Sequence, residues 1–99
     1  MAATLTVMYP ITDETTFDFD YYGSTHMPLV GKVMKPDTAI ASKGLAGGPD
    51  TSPGFYAVAT VSYADMAALQ AALADADEVL ADIPNYYNAQ PIMLIGETL

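Results

Sequence analysis

The sequence contains no cysteine and no arginine, and it has a single histidine, His26. Without cysteine the chain forms no disulfide, no thiolate zinc site and no iron–sulfur cluster, and it has no thiol nucleophile. Without arginine it lacks the planar fork that grips a phosphate or a carboxylate through two hydrogen bonds. Three lysines, Lys32, Lys35 and Lys43, oppose twelve acidic residues and leave a formal net charge of −9. This charge repels nucleic acid and anionic lipid, so we expect neither as a partner.

Long apolar runs are also missing. The longest, Phe55 to Ala59, has about five residues, whereas a membrane-spanning helix needs about 20. The segment from Met1 to Leu5 has neither a positively charged region nor an apolar one, so we expect no signal peptide and a cytoplasmic protein. The 99 residues are 52% hydrophobic and 15% charged, which suits one folded core. We therefore expect a single domain over residues 1–99.

The N-terminal third of the chain predicts a strand followed by a helix. Residues Thr4 to Tyr9 alternate with period two, and Pro10 then ends the strand because it cannot donate to a ladder. Asp18 is a suitable N-cap for the helix, and Pro28 should kink it or restart it just after His26 and Met27. An arc of about 100° holds its expected buried stripe, which consists of Phe19, Tyr22, His26, Leu29, Val30 and Val33.

The remainder predicts two strands, a second helix and a last strand. Thr38–Ser42 and Phe55–Tyr63 are β-rich segments joined by a long loop rich in glycine and proline. Ser62 and Asp65 are spaced as a capping box for an Ala-rich helix that Pro84 ends, and 91–96 is the last strand. The expected inner stripe of this helix is Met66, Leu69, Leu73, Ala76, Val79, Leu80 and Ile83. Its acidic residues, Asp75, Asp77, Glu78 and Asp82, are expected to form a solvated face.

The order β-α-β-β-α-β predicts an α+β, ferredoxin-like fold, with a four-stranded antiparallel sheet and two helices on one face. Both faces of the sheet look apolar, because Ile92 and Leu94 point to one side and Met93 and Ile95 to the other. Two helices cover only one face, and a large apolar patch is uncommon on a soluble monomer. We therefore expect a homodimer in which two such sheets pack face to face.

His26 is the side chain whose ordinary pKa lies nearest to neutrality, and it sits in the apolar stripe. One interpretation is structural, with both ring nitrogens satisfied by hydrogen bonds. The other is functional, with His26 facing a pocket and exchanging a proton next to a carbonyl of an apolar ligand. Burial would lower its pKa, whereas a nearby Asp18 or Asp20 would raise it, and the sequence leaves the net direction open.

Tyr22 lies one turn before His26 on the same stripe, and Tyr9 at the end of the first strand is able to join them. Each tyrosine is equally compatible with core packing. We take His26 and Tyr22 as candidate catalytic residues, and the predicted ligand contacts are Tyr9, Phe19, Asp20 and Val30. One histidine without cysteine is a poor metal site, and it is thin support for a haem ligand, so we expect no metal and no cofactor.

The segment from Phe17 to Val30 resembles the signature of the EthD family, small proteins named for ethyl tert-butyl ether degradation. Its core is a Tyr-Tyr pair, three further residues, and then His-Met-Pro-Leu at 26–29. The stretch 83–86, Ile-Pro-Asn-Tyr, followed by Pro91, is similar to the C-terminal pattern of the family. Residue by residue, the resemblance carries over to Asp20, Tyr21, Tyr22, His26 and Pro28.

The resemblance implies a ferredoxin-like dimeric α/β barrel, in agreement with the element order. The wider superfamily includes cofactor-free monooxygenases, polyketide cyclases, muconolactone isomerases and haem-using enzymes, so the fold does not select a reaction. An oxidoreductase assignment would rest on the association of such proteins with oxidative degradation. We expect a dimer that binds an apolar or aromatic small molecule and acts on it through oxidoreductase-associated, isomerase or cyclase chemistry. The alternatives are an accessory protein that binds a ligand or supports an oxygenase, and an interaction module in which His26 is structural.

Overall fold

The computed structural model describes residues 2–99. Its first half contains a strand, a helical region in three parts and a second strand. These are β1 (Ala3–Pro10), α1 (Phe19–Tyr21), a π-helical turn (Tyr22–His26), α2 (Met27–Met34) and β2 (Thr38–Lys43). The second half contains β3 (Phe55–Tyr63), α3 (Met66–Ala74), α4 (Asp77–Asp82), a 3-10 turn (Ile83–Asn85) and β4 (Ile92–Glu97).

The four strands form one antiparallel sheet in the order β2-β3-β1-β4. Leu5 of β1 lies opposite Val61 of β3 and Ile95 of β4, and Val61 lies opposite Ala39 of β2. Because side chains alternate along a strand, this register places the odd-numbered residues of the four strands on one face as far as Met8 of β1, beyond which a register shift brings Pro10 opposite Phe55. The predicted α+β, ferredoxin-like arrangement is confirmed.

The core lies between the odd-numbered face of the sheet and the helices. The inner strands β1 and β3 provide its floor, and α2, α3 and α4 close it from above. Leu69 of α3 is completely buried there. A second cluster, dominated by aromatic rings, continues the core towards the 3-10 turn. Its buried members are Tyr9, Tyr22, Ala57, Ala59, Ile83, Tyr86 and Tyr87.

The first helical region is interrupted before Pro28, as the sequence predicted, and the interruption takes the form of a π turn. The Met27 N–H donates to the Tyr22 carbonyl, five residues back. Pro28 has no N–H for the next bond of an α-helix, which favours this local change of register. In an α-helix, residues spaced four positions apart lie about 40° apart around the helix axis. The extra residue in the π turn offsets part of this rotation, so residues with that spacing stay on the buried side. The buried positions of the region do repeat every four residues: Tyr22, His26, Val30 and Met34.

The second helical region differs from the expectation in two ways. It is two helices, because the chain breaks at Asp75 and Ala76 between α3 and α4. Its start was also assigned incorrectly, because Ser62 still belongs to β3 and Asp65 itself is the N-cap. The Asp65 side chain accepts a hydrogen bond from the Ala68 N–H at 2.8 Å.

The even-numbered face of the sheet carries no helix, and we call it the open face. The even-numbered residues of the four strands include no charged side chain, since Lys43 and Glu97 both fall on the helix side. The face is less apolar than expected because hydroxyls are interspersed, and the Thr6 and Thr60 hydroxyls are hydrogen-bonded at 3.2 Å. Its most exposed large apolar residues are Ile40, Ile92 and Leu94, exposed by 67%, 48% and 61%.

The N-cap of α3 provides a direct test of the corrected helix start. Asp65→Ala is expected to lower the free energy of unfolding by about 1 kcal/mol, because the Ala68 N–H loses its acceptor. Urea unfolding at one fixed protein concentration measures the change. Ser62→Ala is the matched control and should have a smaller effect. A larger loss for Ser62→Ala than for Asp65→Ala would contradict the assignment of Asp65 as the cap.

Candidate functional site

His26 is 3% exposed and forms hydrogen bonds through both ring nitrogens. Its Nδ1 lies 3.0 Å from a carboxylate oxygen of Asp82, which comes from the end of α4. Tyr21 donates to the other carboxylate oxygen at 2.6 Å, and Asn85 donates to the same oxygen at 3.0 Å. An ionised carboxylate only accepts hydrogen bonds, so Asp82 fixes Nδ1 as the protonated nitrogen of a neutral imidazole.

The second ring nitrogen leads into a chain of tyrosine hydroxyls. Nε2 of His26 lies 3.1 Å from the Tyr86 hydroxyl, which lies 2.7 Å from the Tyr9 hydroxyl. Because Nε2 is the acceptor in this tautomer, Tyr86 donates to His26 and Tyr9 donates to Tyr86. We call the series Asp82, His26, Tyr86 and Tyr9 the relay. It joins the end of α4 to β1 through side chains that are 56 to 77 positions apart in sequence.

Burial and hydrogen bonding together decide the charge state of the relay at neutral pH. Burial lowers the pKa of His26, and this effect exceeds the opposing influence of the hydrogen bond and the charge of Asp82. Although burial alone would raise the pKa of Asp82, hydrogen bonds from Tyr21, Asn85 and His26 hold it below its ordinary value. Burial raises the pKa of Tyr9 and Tyr86. The relay therefore consists of a carboxylate, a neutral imidazole and two neutral phenols.

A cavity of about 100 Å³ lies beside His26, between the helices and the sheet. Aliphatic and methionine side chains form most of its wall. Leu80 and Met93 are its exposed lining residues, so the cavity reaches the surface between α4 and β4. Four of the predicted site residues line it: Tyr9, Tyr22, His26 and Val30.

Tyr22 is buried and stacks on the imidazole of His26, with ring centroids 5.5 Å apart and an interplanar angle of 17°. Its hydroxyl is the one buried side-chain polar atom among residues 2–99 that has no hydrogen-bond partner. Burial raises the pKa of Tyr22, so this hydroxyl keeps its proton at neutral pH. An unpaired buried donor costs free energy that a partner would recover.

The other two predicted ligand contacts lie away from this cavity. Phe19 and Asp20 border an open depression on the surface, where Lys43 Nζ lies 4.3 Å from the centroid of the Phe19 ring. The expectation that Asp18 or Asp20 acts on the charge of His26 was wrong. Asp18 caps α1 by accepting from the Tyr21 N–H, Asp20 is exposed, and the carboxylate that bonds His26 is Asp82.

Two residues of the relay were not recognised in the sequence as partners of His26. Asp82 was assigned to a solvated acidic face, and this was wrong because its side chain is only 11% exposed. Tyr86 was identified only as part of the C-terminal pattern. A usable signal was present, since a buried histidine needs two partners and Asp82 and Tyr86 flank the Pro84 that ends the helix.

Two further findings bear on possible functions. Across residues 2–99, no cluster of three or more histidine or acidic side chains is arranged to hold a metal ion. Within the same range, no helix has the length and apolar character needed to cross a membrane.

The lowered pKa of His26 predicts how stability depends on pH. As the pH falls below the ordinary value of 6.5, the unfolded chain binds a proton that the folded chain resists. The free energy of unfolding should therefore decrease with falling pH in this window, down to the folded-state pKa. Urea unfolding at about pH 7, 6 and 5 measures this dependence.

His26→Asn is the matched control, because its amide N–H is able to replace Nδ1–H on Asp82 but does not titrate. Its profile over the same window should be flatter than that of the native chain. Asp82 affects stability at lower pH. Because its pKa is lowered in the folded chain, its contribution to the free energy of unfolding is present above the ordinary value of about 3.8 and is lost as the pH falls further. Equal slopes in the two proteins would show that His26 is not the group responsible.

Comparison with known proteins places the chain in a family. It matches the model of the EthD domain over residues 10–90. An EthD-like protein from Ralstonia eutropha JMP134 is 32% identical, with a TM-score of 0.87 over 97% of this chain and 90% of that one. An EthD family protein from Bacillus halodurans C-125 shares the fold at 24% identity, with a TM-score of 0.81 and both chains fully covered.

A more distant neighbour is HapK from Hahella chejuensis, which is 14% identical, with a TM-score of 0.61 over 100% of this chain and 93% of that one. A search of curated proteins gave no match. The family model spans most of the sequence and includes His26, Asp82 and Tyr86, the central residues of the relay. The chain therefore belongs to the EthD family.

Proposed function

We propose that this protein binds an apolar or aromatic small molecule in the cavity beside His26 and moves a proton on it without a cofactor. The observation that carries the proposal is the relay itself, which places the neutral imidazole of His26 and the phenol of Tyr9 at the edge of an apolar cavity and links them through Tyr86. In such surroundings proton transfer between positioned groups is favoured over exchange with water. Isomerisation and cyclisation are the reaction classes that this arrangement serves.

The relay gives each residue a role. Nε2 of His26 already accepts from Tyr86, so a ligand is connected to it through Tyr9, which lines the cavity. The ligand gives a proton to the Tyr9 oxygen, Tyr9 gives its own to Tyr86, and Tyr86 gives its own to Nε2. The resulting imidazolium faces Asp82, which stabilises its charge. Reversal of the same steps returns the proton at another atom of the ligand.

We also propose that two copies associate through their open faces. This surface lacks charge although the chain carries a net charge of −9, and it exposes Ile40, Ile92 and Leu94. Ile40 lies on one edge strand and Leu94 on the other, with Thr60 and Thr6 between them. Exposed apolar side chains on a face without charge favour an interface. The hydroxyls on the face are compatible with burial, because Thr6 and Thr60 already pair with each other.

The second candidate function is that of an accessory protein that binds a ligand and leaves it unchanged. The specific observation in its favour is the saturation of His26, since both ring nitrogens are engaged within the fold. Under this hypothesis the cavity binds the ligand, and the relay is only a structural network. The two candidates differ in what happens to the bound compound.

Turnover of a compound recovered from the protein distinguishes them. Ligand is extracted from purified protein, identified by mass spectrometry and incubated with fresh protein. Conversion is expected, and Tyr86→Phe should slow it by about 100-fold or more because the relay is broken. Tyr87→Phe is the control, since Tyr87 is equally buried but donates to the Pro10 carbonyl outside the relay. Unaltered ligand would favour the accessory role, and an unchanged rate in Tyr86→Phe would remove the relay from the mechanism.

Two neighbouring residues of β4 test the association of open faces. Leu94 and Ile95 are exposed by 61% and 52%, but Leu94 lies on the open face and Ile95 on the helix side. Leu94→Asp should convert a dimer into monomers, because it would bury a carboxylate between two sheets. Ile95→Asp should leave the dimer intact. Sedimentation velocity at micromolar concentration measures both, and a monomeric native chain or equal effects of the two substitutions would contradict the proposal.

A further inference from the structure

We infer that the ligand of the cavity is an uncharged molecule with a hydrogen-bond acceptor oxygen, such as a ketone, and that the Tyr22 hydroxyl donates to that oxygen. The inference rests on the proposed binding function and narrows it from any apolar or aromatic compound to a defined chemical class. It assigns to Tyr22 a binding role that is separate from proton transfer through the relay.

The polar groups of the cavity lead to this assignment. Three lining residues carry polar side-chain atoms: Tyr9, Tyr22 and His26. His26 is bonded at both nitrogens, and the proton of Tyr9 is used on Tyr86. The Tyr22 hydroxyl alone among them forms no hydrogen bond of ordinary geometry, although Tyr22 is only 5% exposed. The Tyr9 hydroxyl is near enough to raise the pKa of Tyr22, but its contact falls short of that geometry. A ligand oxygen that accepts this proton would remove the cost of the unpaired donor.

The charge of the ligand follows from what surrounds the cavity. Neither lysine nor arginine lines it. The lowered pKa of His26 keeps the imidazole neutral, so it offers no positive charge to an anion. Asp82 is the charged member of the relay, and its negative charge repels a carboxylate or phosphate ligand. A bound anion would have to leave water without a counter-charge, which is strongly unfavourable.

Two isosteric probes test the hydrogen bond. Cyclopentanone carries the acceptor oxygen, and methylenecyclopentane replaces that oxygen with a CH₂ group. Binding is followed by NMR of methionine methyl groups, because Met27, Met34 and Met93 line the cavity while Met8 and Met66 do not. Shifts should be confined to the first three methyl groups. Both probes are titrated into the native chain and into Tyr22→Phe.

Tyr22→Phe is expected to weaken the binding of cyclopentanone by about fivefold, the factor that corresponds to one neutral hydrogen bond. It should not weaken the binding of methylenecyclopentane. Tyr56→Phe is the control for loss of a hydroxyl, because Tyr56 bonds Thr15 and does not line the cavity. Cyclobutanecarboxylate, an anion of similar size, should cause no shifts at the three methyl groups.

Each contrary result has a distinct meaning. Equal effects of Tyr22→Phe on both probes would overturn the role of the Tyr22 hydroxyl but leave the proposed binding function intact. Binding of cyclobutanecarboxylate at the same methyl groups would overturn the requirement for an uncharged ligand. Absence of shifts with every probe would contradict both this inference and the proposed function.

Discussion

The site depends on the two hydrogen bonds that hold the buried imidazole of His26. A histidine on the apolar stripe of a helix would be destabilising if its nitrogens faced only hydrocarbon. Asp82 and Tyr86 remove that cost, and they come from the opposite end of the sequence. These hydrogen bonds join the π-helical turn to the segment that contains the end of α4 and the 3-10 turn after it. The same contacts fix the tautomer of the ring, so the geometry that satisfies His26 also orders the protons of Tyr86 and Tyr9.

Local structure explains why His26 reaches that position. The π turn adds a residue to the helical region just before Pro28, and the buried residues Tyr22, His26 and Val30 stay on one side. A regular α-helix with the same four-residue spacing would rotate successive members by about 40° towards solvent. The proline therefore has a positional effect beyond interrupting the helix. It favours a backbone in which the tyrosine and the histidine stack against each other.

Periodicity was sufficient to predict the strands, their order along the chain and three of the four buried residues of the first helical region, Tyr22, His26 and Val30. It missed the fourth, Met34. It failed for Asp82 although the predicted stripe continues past the break, with Ala76, Val79 and Ile83 buried. Asp82 lies outside that stripe, and its burial comes from its contact with His26. Partners 56 residues apart also leave no local pattern. Tyr86 illustrates the same limit. Its place in the C-terminal pattern of the family does not show that its hydroxyl bonds Nε2 of His26.

The acidic side chains lie mostly away from two apolar regions of the molecule, which are the cavity beside His26 and the open face. The even-numbered positions of the four strands lack acidic residues, and only Asp82 among the twelve enters the network beside the cavity. Electrostatic attraction therefore does not bring two such chains together, because each carries the same net charge of −9. The proposed association of open faces would have to come from short-range burial of Ile40, Ile92 and Leu94, against a repulsion that salt screens. Net repulsion therefore disfavours orientations that bring acidic surfaces together, whereas the open faces of the proposed dimer carry no charge that would add to it.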